Sequence, residues 1–448
     1  MAMAYILMVN PGMFSDLGTV SYGAIYVATA LSAVVGTLLI GLIANLPLAQ
    51  ASGMGLNAFF VYTVCFQLGF TYANALLFVL FDGILFVVLT ATGLRKIIFN
   101  AIPAAVKAAI PAGIGMFIAF LGLQDAGIVV ASSSTGVTLA SFNLLGSATW
   151  GDVMPMIITV LAVIAIAIMM KKNVKGAILW AILGAAALYY ILGCTVKGFY
   201  EGMGESLSAP FKNYFSPFKD FGTQAVGKVF TEGFNFDAYL AKDGNNVGSL
   251  VVTIITTALA FCMVDMFDTM GTLYGACRSG NMLYKNEKGE DEIPNCNKAM
   301  LSDAIATCVG AVCGTSTVTT FVESSSGVAA GGRTGFSAVV TAILFFIAMF
   351  FSPIAQLVPA CAYAAALIYV GILMIGCVKE IDWKDPAVAL PAFLTMVMMP
   401  FTYNISYGIA FGLISYVLVK LVLGKFKEIN IGTYIVTALF ILMLFLTH

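Results

Sequence analysis

The feature that most constrains this chain is the repetition of apolar runs about as long as a bilayer is thick. A hydrocarbon core is crossed by about 20 apolar residues in a helix. Such runs occupy residues 20–45, 47–68, 71–93, 103–123, 151–170 and 174–193. A polar stretch follows over 194–247, and the runs resume at 248–275, 299–314, 321–332, 336–356, 359–378, 387–402, 403–423 and 429–447. Composition points the same way. Of 448 residues, 60% are hydrophobic and only 10% are charged, whereas a soluble domain carries about 25% charge. The chain therefore reads as an all-α, multi-pass protein of the cell membrane, with the lipid bilayer as its solvent. A formal net charge of −1 without a basic stripe excludes nucleic acid as a partner. The nine cysteines form no CxxC pair and sit mostly in apolar runs, so they read as small packing residues. The single histidine is His448, the last residue. Histidine catalysis and histidine-rich metal sites have no material here, and no enzyme activity, metal or cofactor is expected.

Residues 1–13 are apolar but too short to span, and no basic lead precedes them, so they are not a signal peptide. They read as a first helix whose N-terminal half lies outside this sequence. With that helix counted, the basic clusters all fall on one side of the membrane. They are Arg95 with Lys96, Lys171 with Lys172 and Lys175, Arg278 with Lys285, Lys288 and Lys298, Arg333, Lys379 with Lys384, and Lys420 with Lys425 and Lys427. The positive-inside bias makes that side cytoplasmic. The 194–247 loop falls on the other side with five lysines and six acids. The last run, 429–447, breaks the count, and the pattern leaves open whether it crosses or lies along the bundle.

Seven segments on each side of the polar loop form two halves of roughly 195–200 residues. An odd number of crossings inverts the second half relative to the first. One echo aligns Pro103–Gly115 with Pro359–Gly371. A second lies in segments three and ten. Segment three runs Leu46-Pro-Leu-Ala-Gln-Ala-Ser-Gly-Met-Gly-Leu-Asn-Ala-Phe-Phe60, and segment ten runs from Cys313 to Gly332 through Gly-Thr-Ser-Thr-Val-Thr-Thr-Phe-Val-Glu-Ser-Ser-Ser-Gly. Glycine and β-branched residues make both poor continuous helices. Unwound backbone at membrane depth is tolerated only where protein buries it or a cavity needs it. Small residues for close helix packing are the alternative, but two such segments in matching positions favour a binding site.

Acids inside spans are costly and usually functional. Five occur: Asp82, Asp265, Asp268, Asp303 and Glu323. Asp265 and Asp268 are three apart, on one helical face. Glu323 opens the half-helix of segment ten. No arginine or lysine lies in the same spans, which suits proton coupling and also suits an uncharged ligand rich in N–H donors. Asp268 and Glu323 are the acids favoured as functional. Asp265 and Asp82 are as readily structural, and Asp303, near Lys298 and the segment start, reads as interfacial. Asn57 reads as a helix cap, a substrate-orienting amide, or both. Arg333 reads as a cytoplasmic anchor. Phe59, Phe60 and Phe321 read as packing residues, one of which could stack on a flat heterocycle.

At these residues the chain resembles the AzgA-like purine permeases, within the nucleobase–cation symporters (nucleobase–ascorbate transporters). The matching pieces are Gly53-Met-Gly-Leu-Asn-Ala-Phe-Phe60, Val264-Asp-Met-Phe-Asp-Thr-Met-Gly-Thr272, Gly314 to Gly335, and Pro391 to Pro400. The resemblance implies a 7+7 inverted-repeat transporter with short strands in segments three and ten. It implies a core domain over 1–93 and 248–356, a gate domain over 94–193 and 357–448, and an extracytoplasmic loop over 194–247. It matches the family's carboxylates to Asp268 and Glu323, its asparagine to Asn57, and a further acid of less clear role to Asp265. Its implied cargo is adenine, guanine or hypoxanthine with a proton. Asp268 and Glu323 would accept from the base, backbone N–H groups near Ser324 and Gly55 would donate to it, and its ring would lie against Phe59 or Phe321. Asp268 or Glu323, with Asp265 a third candidate, would take the proton. Oligomeric state is not fixed by the residues, and a homodimer is open. Three other classes fit less well. An intramembrane aspartyl protease needs Tyr-Asp and Gly-x-Gly-Asp motifs, which are missing. A channel has no use for paired broken segments. An inorganic-anion carrier on the same fold, like a pyrimidine carrier, is the alternative solute reading, but anions want fixed positive charge at the site.

Overall fold

The computed structural model describes residues 3–92, 102–146, 148–196, 211, 213–241, 246–285, 291–321 and 323–447. Arg95, Lys96 and Lys288, used above for sidedness, lie outside these residues, as does part of the 194–247 loop. The first half runs α1 (Ile6–Ser15), α2 (Tyr22–Leu39), β1 (Gln50–Ser52), α3 (Met54–Ala58), α4 (Tyr72–Thr92), α5 (Ala104–Asp125), β2 (Val129–Ser132), β3 (Gly136–Leu139), α6 (Trp150–Lys171) and α7 (Ala177–Thr195). Short helices at Ser216–Asp220, Lys228–Thr231 and Asp237–Leu240 fill the central loop. The second half runs α8 (Val247–Ser279), β4 (Tyr284–Lys285), β5 (Asp291–Glu292), α9 (Cys296–Cys313), β6 (Val318–Thr320), α10 (Ser324–Ala329), α11 (Gly335–Ala348), α12 (Ala360–Met374), α13 (Pro386–Thr402), α14 (Ile405–Val422) and α15 (Ile431–Thr447). Among the described residues, nine helices are long and apolar enough to cross a bilayer.

Segments three and ten are broken as their composition predicts. Strands β1 and β6 pair antiparallel, with Gln50 opposite Thr320, Ala51 opposite Thr319 and Ser52 opposite Val318. All six residues are buried. A two-stranded ladder leaves each outer edge with backbone groups that have no strand partner, and at membrane depth water cannot serve them. One threonine serves each edge. Thr37 of α2 donates its hydroxyl to the Gln50 carbonyl and accepts from the Gln50 N–H, both at 3.0 Å. Thr307 of α9 does the same for Val318, with both bonds at 3.3 Å. A hydroxyl can do both because it carries one donor and two acceptor lone pairs. The two threonines sit in the second and ninth segments, so they occupy corresponding places in the two halves.

The remaining helices form two sets. Helix α2 packs on α9 and α11, and α4 on α8 and α9; helix α5 packs on α12 and α13, and α6 and α7 pack on α12. Helix α15 lies against α8 and α14. The echo between Pro103–Gly115 and Pro359–Gly371 has a physical use. Pro103 and Pro359 are the N-caps of α5 and α12, both in extended conformation. The two helices then meet glycine to glycine. A Cβ on Gly115 would fall 2.8 Å from the Gly371 carbonyl oxygen, and one on Gly371 would fall 2.4 Å from that of Gly115. Only glycine lets the backbones approach this closely.

Candidate functional site

The strand pair ends beside a cavity. It is lined by Tyr5, Gly53, Met54, Gly55, Ile118, Asp268, Thr272, Thr320, Phe321, Glu323 and residues 370, 373 and 374 of α12. The space between the atoms amounts to about 440 Å³, counting its open mouth. One wall comes from the two broken segments, one from α8, one from the start of α1, and one from α5 with α12.

Each acid at the cavity has a hydroxyl donor. Thr319 of β6 donates to Asp268 Oδ2 at 3.3 Å. Tyr5 donates to Glu323 Oε1 at 2.5 Å. Asp268 sits on α8, whose face toward the strands also carries Asp265 and Thr269. Glu323 stands in the turn between β6 and α10, so the break in segment ten is what brings it to the cavity. On the opposite side Gly53 caps α3 with extended backbone. Met54 and Gly55 follow in its first turn, where N–H groups have no carbonyl of their own helix to meet. The site thus pairs carboxylate acceptors on one side with a backbone helix start on the other.

Of the residues expected from sequence, the structure brings Gly55, Asp268, Phe321 and Glu323 to the cavity. It places the others elsewhere. Phe59 is 1% exposed and packs edge-on against Phe261 at 4.8 Å, so its ring is not a stacking surface for this cavity. Instead it lines a separate, smaller cavity with Thr63, Thr253, Asn404 and Ser406. Asn57 is fully buried inside α3, and the cap is Gly53 rather than Asn57. Its amide lies 3.5 Å from the Ser52 carbonyl. Ser324 is a brace. Its hydroxyl accepts from the Ala49 N–H at 3.0 Å, and its own N–H donates to Phe321 at 3.1 Å. Asp265 lies behind the strands, where Thr307 reaches it at 3.5 Å.

Asp303 corrects the interfacial expectation. It is fully buried, accepting from Gln50 Nε2 at 3.0 Å and from Thr269 at 2.8 Å. It binds α9, β1 and α8 together. Asp82 is likewise fully buried, in α4. Arg333 stays exposed and donates to the carbonyls of Val328 and Gly332. The two hydroxyl donors to the site's acids carried no sequence signal as site residues: Tyr5, an aromatic in an apolar run, and Thr319, one of several threonines in segment ten.

Fold and site together define a class: a multi-pass membrane transporter of two inverted seven-segment repeats, with its cavity where the broken segments meet. The chain belongs to the permease family, whose family model matches residues 1–411. The guanine/hypoxanthine permease PbuO of Bacillus subtilis (strain 168) is 38% identical over 454 residues, 99% of this chain and 94% of that protein. The adenine permease AdeP of Escherichia coli (strain K12) is 35% identical over 442 residues, 99% of this chain and 89% of that protein. Among solved structures, the transmembrane domain of the cyanobacterium bicarbonate transporter BicA matches with a TM-score of 0.58 at 15% identity, covering 93% of each chain. At that identity the likeness is one of fold.

Proposed function

We propose that this permease imports purine nucleobases (adenine, guanine or hypoxanthine) together with a proton. The observation that carries the reading is one cavity holding two carboxylates, a helix start and an aromatic ring. A purine offers N–H donors and ring-nitrogen acceptors along its edges and two flat faces. Asp268 and Glu323 accept from the donors, the Met54–Gly55 backbone donates to the acceptors, and Phe321 covers a face. The names of PbuO and AdeP support purines as the solute class. For the proton, the support is physical. A carboxylate that crosses the membrane interior charged is costly, and protonating it removes the cost. Proton uptake at Asp268 or Glu323 therefore accompanies loading, and the core segments of 1–93 and 248–356 then carry the loaded cavity past the gate segments of 94–193 and 357–448.

The test is uptake of labelled hypoxanthine in cells lacking their own purine carriers. Unlabelled adenine, guanine and hypoxanthine should be compared as competitors with uracil, with and without a protonophore. Competition by purines and collapse of uptake with the proton gradient are expected. Uptake indifferent to every purine overturns the substrate. Uptake indifferent both to the protonophore and to Glu323→Gln overturns the coupling.

A further inference from the structure

Tyr5 stands apart from the other cavity residues because it comes from α1 yet touches the acid of segment ten. Its side chain is 1% exposed, and its hydroxyl donates to Glu323 Oε1 at 2.5 Å. The helix that carries it is fixed at a second point. Asn10 is fully buried and donates through Nδ2 to Thr315 at 2.9 Å and to Thr29 at 2.7 Å. Thr315 in turn shares a 2.7 Å hydrogen bond with Ser52 of β1. Helix α1 is thus clamped to both ends of the broken stretch, to Thr315 before β6 and to Glu323 after it. Glu323 lies in a turn, on no helix or strand. Its carboxylate also meets its own backbone N–H, and the Tyr5 hydroxyl adds a tie from a different segment of the chain.

We propose that Tyr5 is a positioning residue of the substrate site. Its hydroxyl fixes the Glu323 carboxylate in one orientation, toward the ring N–H groups of a purine. This deepens the purine reading above and rests on it. The cavity then arrives pre-organised, and binding does not have to order the glutamate as well. The clamp also ties α1 to the state of the site, because a ligand that draws Glu323 inward draws on Tyr5.

The test is equilibrium binding of radiolabelled hypoxanthine and adenine to the purified full chain. The variants are wild type, Tyr5→Phe, Glu323→Gln and the double variant, with a thermal melt of each as a check of folding. Tyr5→Phe keeps the ring and its packing and removes only the hydroxyl. It is expected to weaken binding by on the order of tenfold. In the Glu323→Gln background the same change is expected to weaken binding clearly less than in wild type, because the amide oxygen can still accept from Tyr5 but the anionic acceptor that Tyr5 positions is gone. Equal weakening in both backgrounds overturns the proposal, since Tyr5 would then act on the ligand by itself or through general packing. Binding by Tyr5→Phe at wild-type strength, with Glu323→Gln impaired, also overturns it but leaves the purine site standing. Binding unaltered by Glu323→Gln, or no purine binding by wild type, overturns the site reading itself. Should Tyr5→Phe not be recovered folded, Glu323→Asp shortens the acid out of the tyrosine's reach, and full-strength binding by that variant overturns the proposal.

Discussion

Segment three and segment ten are built alike up to the ends of their strands and differ after them. Each contributes three extended residues to the same ladder, and each has the first residue of its strand bonded on the outer edge by a threonine from the preceding segment, Thr37 or Thr307. After β1 comes Gly53-Met-Gly-Leu-Asn, with helix starting at once at Met54. After β6 come Phe321 and, in a turn, Glu323, before α10 starts at Ser324. The first segment brings backbone to the cavity and the second brings an aromatic ring and a carboxylate. Two copies of one plan have divided the hydrogen-bonding work, donors on one side and acceptors on the other. The purine proposed above, whose edge alternates donors and acceptors, would use both.

The largest expected effect tests the acidic side. Glu323→Gln replaces an anion by an amide that cannot accept at both atoms. Purine uptake is expected to fall on the order of a hundredfold, from the loss of charge-assisted bonds. If the division of labour is real, adding Asn57→Asp should not restore it, because residue 57 lies outside the cavity wall. Rescue by that second change would erase the distinction between the two segments. Next comes the glycine side. A Cβ on Gly55 would sit 2.6 Å from Ile114 Cγ2 on α5. Gly55→Ala is expected to cost roughly tenfold in uptake, in line with about 1–3 kcal/mol for overpacking a tight contact. Ile114→Ala in the same chain should recover much of that loss. An uptake defect that persists in the double variant would point to the Gly55 backbone, rather than the space beside it, as what matters.

Much of this was legible in the residues, and the exceptions have physical causes. The broken segments announce themselves because glycine, serine and threonine at membrane depth cannot be explained by lipid contact. Asp268 and Glu323 stand out because carboxylates are costly there. Asp303 misleads because its neighbour in sequence, Lys298, is an exposed interfacial cation. Five residues along a helix turn the side chain by about 140° at 3.6 residues per turn, so Lys298 faces out while Asp303 faces Gln50 and Thr269. Tyr5 is hidden for a different reason. An aromatic in an apolar run is ordinarily packing, and nothing local says that its hydroxyl meets an acid 318 residues away. Long-range pairing of that kind is fixed by the fold and leaves no spacing pattern in the chain.

The smallest effects are expected at the two segment-three residues that the cavity excludes, and they sharpen the comparison most finely. Asn57→Ala removes an amide whose described contact, to the Ser52 carbonyl, is a long 3.5 Å. An uptake KM within about threefold of wild type is expected, since a bond at that length contributes little. Phe59→Leu should separate affinity from stability. The ring is 1% exposed and rests on Phe261 rather than on the ligand space. Shrinking it leaves a void where the residue that follows α3 packs on α8, which is expected to lower stability by roughly 1–2 kcal/mol and to depress the melting temperature of the purified protein. The KM for purine should stay unchanged, because Phe321, not Phe59, is the ring that lines the cavity. The matching change Phe321→Leu should do the reverse, raising KM severalfold with a smaller shift in melting. If Phe59→Leu raises KM as much as Phe321→Leu does, both broken segments present rings to the ligand, and the split between a backbone side and a side-chain side fails.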